Sequence, residues 1–260
     1  MTATQQDSLL AYLELLAKWN RAYNLTSIRE PQQMIPRHLL DSLVVGPLLQ
    51  GSRVIDVGTG AGLPGVPLAI LFPEREFHLL DSNGKKTRFL FQVKTALALD
   101  NMTVHHARVE KFEPGQVFDA VLSRAFASLR DMVAGCRHLV STTGRFLAMK
   151  GAYPHQELAE IEDHCDLVAV HTLQVPGLDE QRHLVRGDVQ GALAAGGAGA
   201  AAPRPEGHQK GCEEGRKGGA HGVLSPGCGP PASGHRGPRF RRPRRPFHAL
   251  FRVGFGGPFW

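Results

Sequence analysis

From Val54 to Gly65 the chain reads Val-Ile-Asp-Val-Gly-Thr-Gly-Ala-Gly-Leu-Pro-Gly, an apolar run through Asp56 that passes Gly58, Gly60 and Gly62 toward a helix beginning near Pro64. Glycine has a physical use here: without a Cβ the backbone approaches a ligand closely, and a helix N-terminus presents unpaired amides to it. Proline suits the first turn of the helix that follows. The spacing narrows the ligand. A dinucleotide loop wants Gly-x-Gly-x-x-Gly, but three residues past Gly60 stands Leu63, and no phosphate-loop lysine follows. Asp81 closes the next apolar run, 19 residues past Gly62, where a carboxylate accepts hydrogen bonds from both hydroxyls of a ribose. The chemistry implied is binding of a nucleoside cofactor across two neighbouring strand ends.

The spacing Asp56-x-Gly58-x-Gly60-x-Gly62 is similar to the acidic glycine loop of S-adenosylmethionine (SAM) methyltransferases. Val109-Glu110, after the third strand, offers an amide and an acceptor to an adenine edge. Amino-directed DNA and RNA enzymes carry Asn/Asp-Pro-Pro-Tyr after the fourth strand, where this chain has Ser123-Arg124-Ala125-Phe126. Methylation of pyrimidine carbon needs a cysteine nucleophile, but Cys136 falls inside a predicted helix and Cys165 beyond another. No catalytic nucleophile is expected. An acceptor with a free lone pair, such as guanine N7, has no proton to lose, so positioning against the methyl donor supplies the acceleration. Arg124 can pair with the cofactor carboxylate, a phosphate, Glu110 or Asp131. Lys85, Lys86, Arg88 and Lys94 alternate with a Phe89, Val93, Leu97 stripe; they read as a solvated helix face or, with Arg145, Lys150 and Arg182 at strand ends, as a phosphate-binding surface.

Alternating elements must position these residues. Leu9, Leu13, Leu16 and Tyr23 recur at helical spacing, and a second helical piece spans about Met34 to Leu49. Strands are predicted at 53–57, 76–80, 102–106, 118–123, 145–149, 167–174 and 182–185, with helices over 63–71, 85–99, 129–139 and 156–164. That order predicts an α/β fold with a mostly parallel seven-stranded sheet, Rossmann-like, preceded by N-terminal helices. The last two strands are joined through Pro176-Gly177, too short for a crossover helix, and should pair antiparallel at the sheet edge.

Composition divides the chain near Val185. Residues 1–185 carry 18 Lys+Arg against 20 Asp+Glu, whereas residues 186–260 carry 12 against 4 and hold 18 of the 30 glycines. The net positive charge therefore comes from the tail, which is too poor in apolar residues to offset its ordering entropy and is predicted to be disordered. The domains read as a helical extension over 1–50, a Rossmann-like domain over 51–185 and a low-complexity tail over 186–260. No run reaches the roughly 18 apolar residues of a membrane span, and the N-terminus lacks a signal-peptide pattern, so a cytoplasmic protein is expected. The cysteines Cys136, Cys165, Cys212 and Cys228 form no C-x-x-C pair, and neither a metal site nor a disulfide framework is expected.

Residues 7–185 resemble the family of the bacterial 16S ribosomal RNA guanine-N7 methyltransferase G, also called glucose-inhibited division protein B. The resemblance rests on Lys18-Trp19-Asn20-Arg21-Ala22-Tyr23-Asn24-Leu25-Thr26, Arg37-His38-Leu39-Leu40-Asp41-Ser42-Leu43, the glycine loop through Gly65, Leu80-Asp81-Ser82, Ser123-Arg124-Ala125-Phe126-Ala127, Lys150-Gly151 and Arg182-His183-Leu184-Val185. It implies a class I methyltransferase using SAM on one guanine in the decoding-region loop of 16S rRNA, with naked RNA or the small ribosomal subunit as partner and the protein a monomer. Cofactor contacts carry over to Gly58, Leu63, Val109, Glu110 and Arg124. Arg37 joins Lys85, Lys150 and Arg182 as an RNA-binding candidate. Asn20, Asn24, His38 and Asp41 complete the family's N-terminal signature, as packing, loop-anchoring or RNA-contacting residues. Beyond Val185 this chain departs from the family: Arg186-Gly187-Asp188 stands where the last strand continues, and the composition that follows is that of a GC-rich gene read out of frame. Two other readings stand beside this one, a SAM-dependent enzyme acting on a small molecule and a non-catalytic RNA-binding assembly protein.

Overall fold

In the computed structural model the described residues are 1–124, 126–161 and 165–189. The chain opens on α1 (Ala3–Tyr23), started by a capping box in which the Thr2 hydroxyl accepts from the Gln5 amide and the Gln5 side chain accepts from the Thr2 amide. Leu9, Tyr12, Leu13 and Leu16 are fully buried along one face, and the helix stops at Asn24 in the left-handed conformation. Tyr23 was expected on that face and is instead 45% exposed, its ring against Trp19. Gln5 Nε2 also donates to the carbonyls of Ile70 and Leu71, two of the orphan acceptors at the end of α4 (Gly65–Leu71). The second helical piece is broken into α2 (Pro31–Met34), a π-helical turn (Ile35–Leu40), α3 (Asp41–Leu43) and a 3-10 turn (Gly46–Leu48).

The described residues then form seven strands: β1 (Arg53–Val57), β2 (Glu76–Asp81), β3 (Met102–His106), β4 (Phe118–Ser123), β5 (Val140–Lys150), β6 (Cys165–Leu173) and β7 (Arg182–Val189), in the order β3-β2-β1-β4-β5-β7-β6. The first five are parallel to one another, and β7 is antiparallel to both β5 and β6. α5 (Gly84–Leu97), α6 (Leu129–Cys136) and α7 (His155–Ala159) connect them. Because successive strand residues face opposite ways, Val54, Leu79, Leu122 and Leu147 pack with α1, α4 and α5 on one face. Ile55, Leu80, Val121 and Phe146 pack with α6 on the other. This is the doubly wound α/β architecture expected from the sequence.

α7 runs His155–Ala159 where a helix over 156–164 was expected, and β6 starts at Cys165 rather than Leu167; three further differences bear on the site and the sheet. β5 begins at Val140, so Arg145 lies within the strand, pairs with Ala120 and donates to Gln50 rather than standing at a strand end beside Lys150. α4 begins at Gly65, not Leu63, because the glycine loop turns until Pro64. The last strand does not stop at Val185: Arg186, Gly187 and Asp188 pair with Leu147, Phe146 and Arg145 on one side and Ala169, Val168 and Leu167 on the other. It is also not an edge strand, since β7 lies between β5 and β6. Gly187 fits there because a Cβ would come within 2.9 Å of Cys165 Sγ. The readings of residues 190–260 as disordered or frameshifted, and those of Cys212 and Cys228, lie outside the described residues.

A chain ending after Val185 loses the ladder bonds of Arg186–Val189 and the fully buried Val189. We expect it to be less stable in urea than one ending after Val189 by at least about 3 kcal/mol. Equal midpoints would show that these residues add nothing to the sheet.

Candidate functional site

The strand order reverses between β1 and β4, and the cleft outside the carboxyl ends of the strands at such a point is where α/β proteins bind ligands. Gly58, Gly60 and Gly62 take φ values of +68°, +63° and +91°, a region L side chains rarely enter. The loop is gripped from several directions. Leu80 O accepts from the amides of Gly58 (2.9 Å) and Thr59 (3.2 Å), Asp81 Oδ2 accepts from the Gly60 amide (2.9 Å), and the buried Tyr12 hydroxyl donates to Ala61 O (2.9 Å). Beneath it, Asp56 Oδ2 accepts from the Thr59 hydroxyl and the Gly65 amide, while Asp56 Oδ1 is buried with no hydrogen-bond partner among the described residues. Burial pushes this carboxyl up to about 6.

A first cavity, of about 310 Å³, opens at the ends of β1, β2 and β3, with Gly58, Asp81, Lys86, Val109, Glu110 and Phe126 among its lining. Gly58, Asp81, Val109 and Glu110 thus come together as expected. Gly60 is not among the residues lining the cavity; a Cβ there would meet Gly58 O and Lys86 Nζ at 3.9 Å, ordinary contact without a clash. Leu63 does not line the cavity; its side chain is 3% exposed in the core, and its amide donates to Thr59 O. Lys85 is exposed on the first turn of α5, whereas its neighbour Lys86 lines the cavity, 3.7 Å from Asp81.

A second cavity, of about 450 Å³, lies along the same sheet edge at the ends of β5, β6 and β7 and is closed by the N-terminal segment. It gathers Arg37, Arg124, Lys150 and Arg182, so three of the four RNA-binding candidates meet in it together with Arg124. The buried Asp41 accepts from Arg182 Nε (2.9 Å) and Arg124 Nη1 (3.3 Å). Among the described residues Arg124 is ion-paired with Asp41, and not with Glu110 or Asp131. Lys150 reaches Glu157 (2.8 Å) and the carbonyls of Phe126 and Ala127, and Arg37 pairs with Glu180. Arg124 lines the second cavity and Phe126 the first, so the chain leaving β4 contributes to both.

The N-terminal signature anchors the wall of this second cavity. Asn20 donates to Ile28 O and accepts from the Thr26 amide. His38 Nδ1 contacts Arg37 O at 3.0 Å and its Nε2 contacts Thr26 Oγ1 at 2.9 Å. A carbonyl only accepts, so Nδ1 carries the proton and Nε2 accepts from the threonine hydroxyl. The ring is held neutral, with its pKa lowered to about 4, chiefly by burial and then by the Arg124 charge. Two features were missed from sequence: the Tyr12 contact with the loop, signalled by a hydroxyl within an otherwise apolar helical face, and Asp41 as the carboxylate joining two arginines. Cys136 is buried and its thiol is pushed up to about 12, chiefly by burial. Among the described residues no cluster is suited to a metal, and no helix is long and apolar enough to cross a membrane.

The GidB family profile, described as rRNA small subunit methyltransferase G, matches residues 5–185. The chain belongs to this family. It is 56% identical over 185 residues to the ribosomal RNA small subunit methyltransferase G of Aeromonas salmonicida, covering 71% of this chain and 89% of that protein. The protein of that name from Shewanella amazonensis is 57% identical over 184 residues, with the same coverage. Membership makes the chain a class I SAM-dependent methyltransferase, and the residues fit the cofactor. Gly58 brings backbone to the cavity wall, Val57, Leu80, Ala107 and Val109 give apolar walls, and each Asp81 carboxylate oxygen accepts one backbone amide, leaving lone pairs for ribose hydroxyls.

Two glycine variants separate fold from binding. A Cβ at Gly62 would lie 2.4 Å from Val66 Cγ2, so Gly62→Ala is expected to destabilise the protein by more than ~2 kcal/mol in chemical denaturation. Gly60→Ala is strained by its φ of +63° but meets no clash, so it should lose less stability than Gly62→Ala and weaken SAM binding in calorimetry; the reverse order would contradict the roles given to the two positions. His38 supplies a pH test. The unfolded ring takes up its proton near 6.5 and the folded ring near 4, so its contribution is complete above pH 6.5 and is lost as pH falls toward 4. Asp56, raised to about 6, acts in the opposite sense, so the His38 part is read as a difference. His38→Gln should show a shallower acid-side loss of stability than the parent, and identical slopes would refute the neutral histidine.

Proposed function

We propose that the protein transfers the methyl group of SAM to N7 of a guanine in 16S rRNA, with the cofactor in the first cavity and the guanine in the second. One observation carries this reading: a cavity bearing Arg37, Arg124, Lys150 and Arg182 lies on the same sheet edge as a cavity suited to a nucleoside, with the residues after β4 lining both. Three acids, Glu180, Asp41 and Glu157, hold these cations in place, and cations so arranged attract and orient a phosphate backbone.

When bound, SAM supplies a sulfonium methyl. Guanine N7 accepts it through a lone pair and loses no proton, so the residues lining the second cavity need only bind and orient. That agrees with their states: His38 is neutral with both ring nitrogens engaged, and the Asp41 carboxylate is occupied by two guanidiniums. Positioning of this kind supplies several kcal/mol of barrier reduction, on the order of 7 at good alignment. The wall of the first cavity at Val109 and Glu110 is assigned to the adenine edge, and Asp81 to the ribose. On this reading the protein is a cytoplasmic monomer acting on naked rRNA or on the small subunit.

Methyl-labelled SAM incubated with unmodified small ribosomal subunits is expected to place label in 7-methylguanosine after digestion of the RNA. Arg182→Ala should lower that incorporation at least about tenfold, since it removes a phosphate partner and leaves Asp41 half-paired, while SAM binding persists. Label in another nucleoside, or RNA-independent transfer to a small molecule, would overturn the assignment.

A further inference from the structure

Tyr153 lies just past the end of β5, two residues beyond Gly151, which lines the second cavity. Its side is held by two rings: His183, which also lines that cavity, meets it edge-on at 5.5 Å, and His155 lies tilted against it at 4.4 Å. His183 is itself fixed, 5% exposed with Nδ1 2.9 Å from Gly151 O, and Pro154 between the two outer rings is buried. Despite this backing Tyr153 is 41% exposed. Phe91 and Tyr23 are exposed aromatics too, but neither is in ring contact with a residue lining the cationic cavity.

A half-exposed aromatic packed on a residue that lines a cationic cavity has the chemistry that single-stranded nucleic acid uses: cations take the backbone and a ring takes a base face, irrespective of base identity. Resting on the reading that the second cavity receives the target guanine, we propose that Tyr153 stacks on an unpaired base next to that guanine, holding the RNA strand open at the mouth. The stacked base is read by its π-face alone, so Tyr153 contributes to RNA affinity and not to the choice of guanine. The occupant is RNA rather than an apolar protein segment, because the cavity Tyr153 borders carries Arg37, Arg124, Lys150 and Arg182.

The experiment measures methylation of unmodified small subunits by the full chain and by Tyr153→Ala, Tyr153→Leu, Tyr153→Phe and Phe91→Ala. Loss of one base–aromatic stack should raise KM for the subunit roughly 5- to 100-fold in Tyr153→Ala. Tyr153→Leu, which keeps apolar bulk without a π-face, should be similarly impaired, and kcat and SAM affinity should stay within about twofold. Tyr153→Phe keeps the parent KM, and Phe91→Ala, on α5, leaves it unchanged. A KM unaltered in Tyr153→Ala, or a Tyr153→Phe variant as impaired as alanine, overturns the stacking role while the parent's 7-methylguanosine product leaves the enzyme assignment standing. A parent enzyme that forms no 7-methylguanosine overturns both.

Discussion

The loop from Gly58 to Gly62 has to reverse the chain through left-handed backbone while leaving its open side to a ligand, and much of the molecule is arranged to hold it. Such a backbone is not self-supporting: each residue there loses more freedom on folding than it recovers locally. β2 supplies the Leu80 carbonyl and the Asp81 carboxylate, Asp56 ties Thr59 to Gly65 from below, and α1 reaches over with the Tyr12 hydroxyl. Burial of α1 and the gripping of the loop are therefore one event. Gln5, at the other end of that helix, closes the carbonyls of α4, so the helix the loop leads into is held by the same element.

The N-terminal segment is thereby a wall of the site and not an extension attached to it. Asp41 lies buried between guanidiniums from the ends of β4 and the start of β7. A carboxylate in such a place is tolerated because both partners are present, and removing either leaves a costly unpaired charge. Asn20, Thr26 and His38 then fix the loop over residues 26–28 that closes the second cavity. These bonds anchor the loop and shape the wall of the cavity.

The sequence made visible what is local. The glycine loop, Asp81 and the Val109-Glu110 pair sit at strand ends whose hydrophobic pattern is unambiguous, so their convergence follows from the parallel sheet alone. Contacts that cross the fold were not visible. Tyr12 meets Ala61 and Asp41 meets Arg182 across 49 and 141 residues of separation, and no local spacing encodes them. Arg145 was placed at the start of its strand because Ser141-Thr142-Thr143-Gly144 read as a loop, whereas β5 begins at Val140 and runs through them. Leu63 follows the glycine spacing, yet its side chain turns into the core. The last strand was read as ending at Val185 because Gly187 and the charges of Arg186 and Asp188 obscure the pattern. In the sheet those two side chains pair with each other and the glycine makes room for Cys165.

The insertion of β7 between β5 and β6 has a consequence for the order in which the molecule can be built. Every residue lining the first cavity lies between Val57 and Phe126, whereas the second needs Arg182 and His183 as well. Domains fold from the N-terminus as the chain is synthesised, but β5 has no inner partner on its far side, and β6 none at all, until the chain reaches Val189. A nascent chain thus has the parts of the first cavity well before those of the second. During that interval it carries an unpaired β5 edge, the kind of surface that invites association with other strands. The strand that completes the second cavity is the one that removes this hazard.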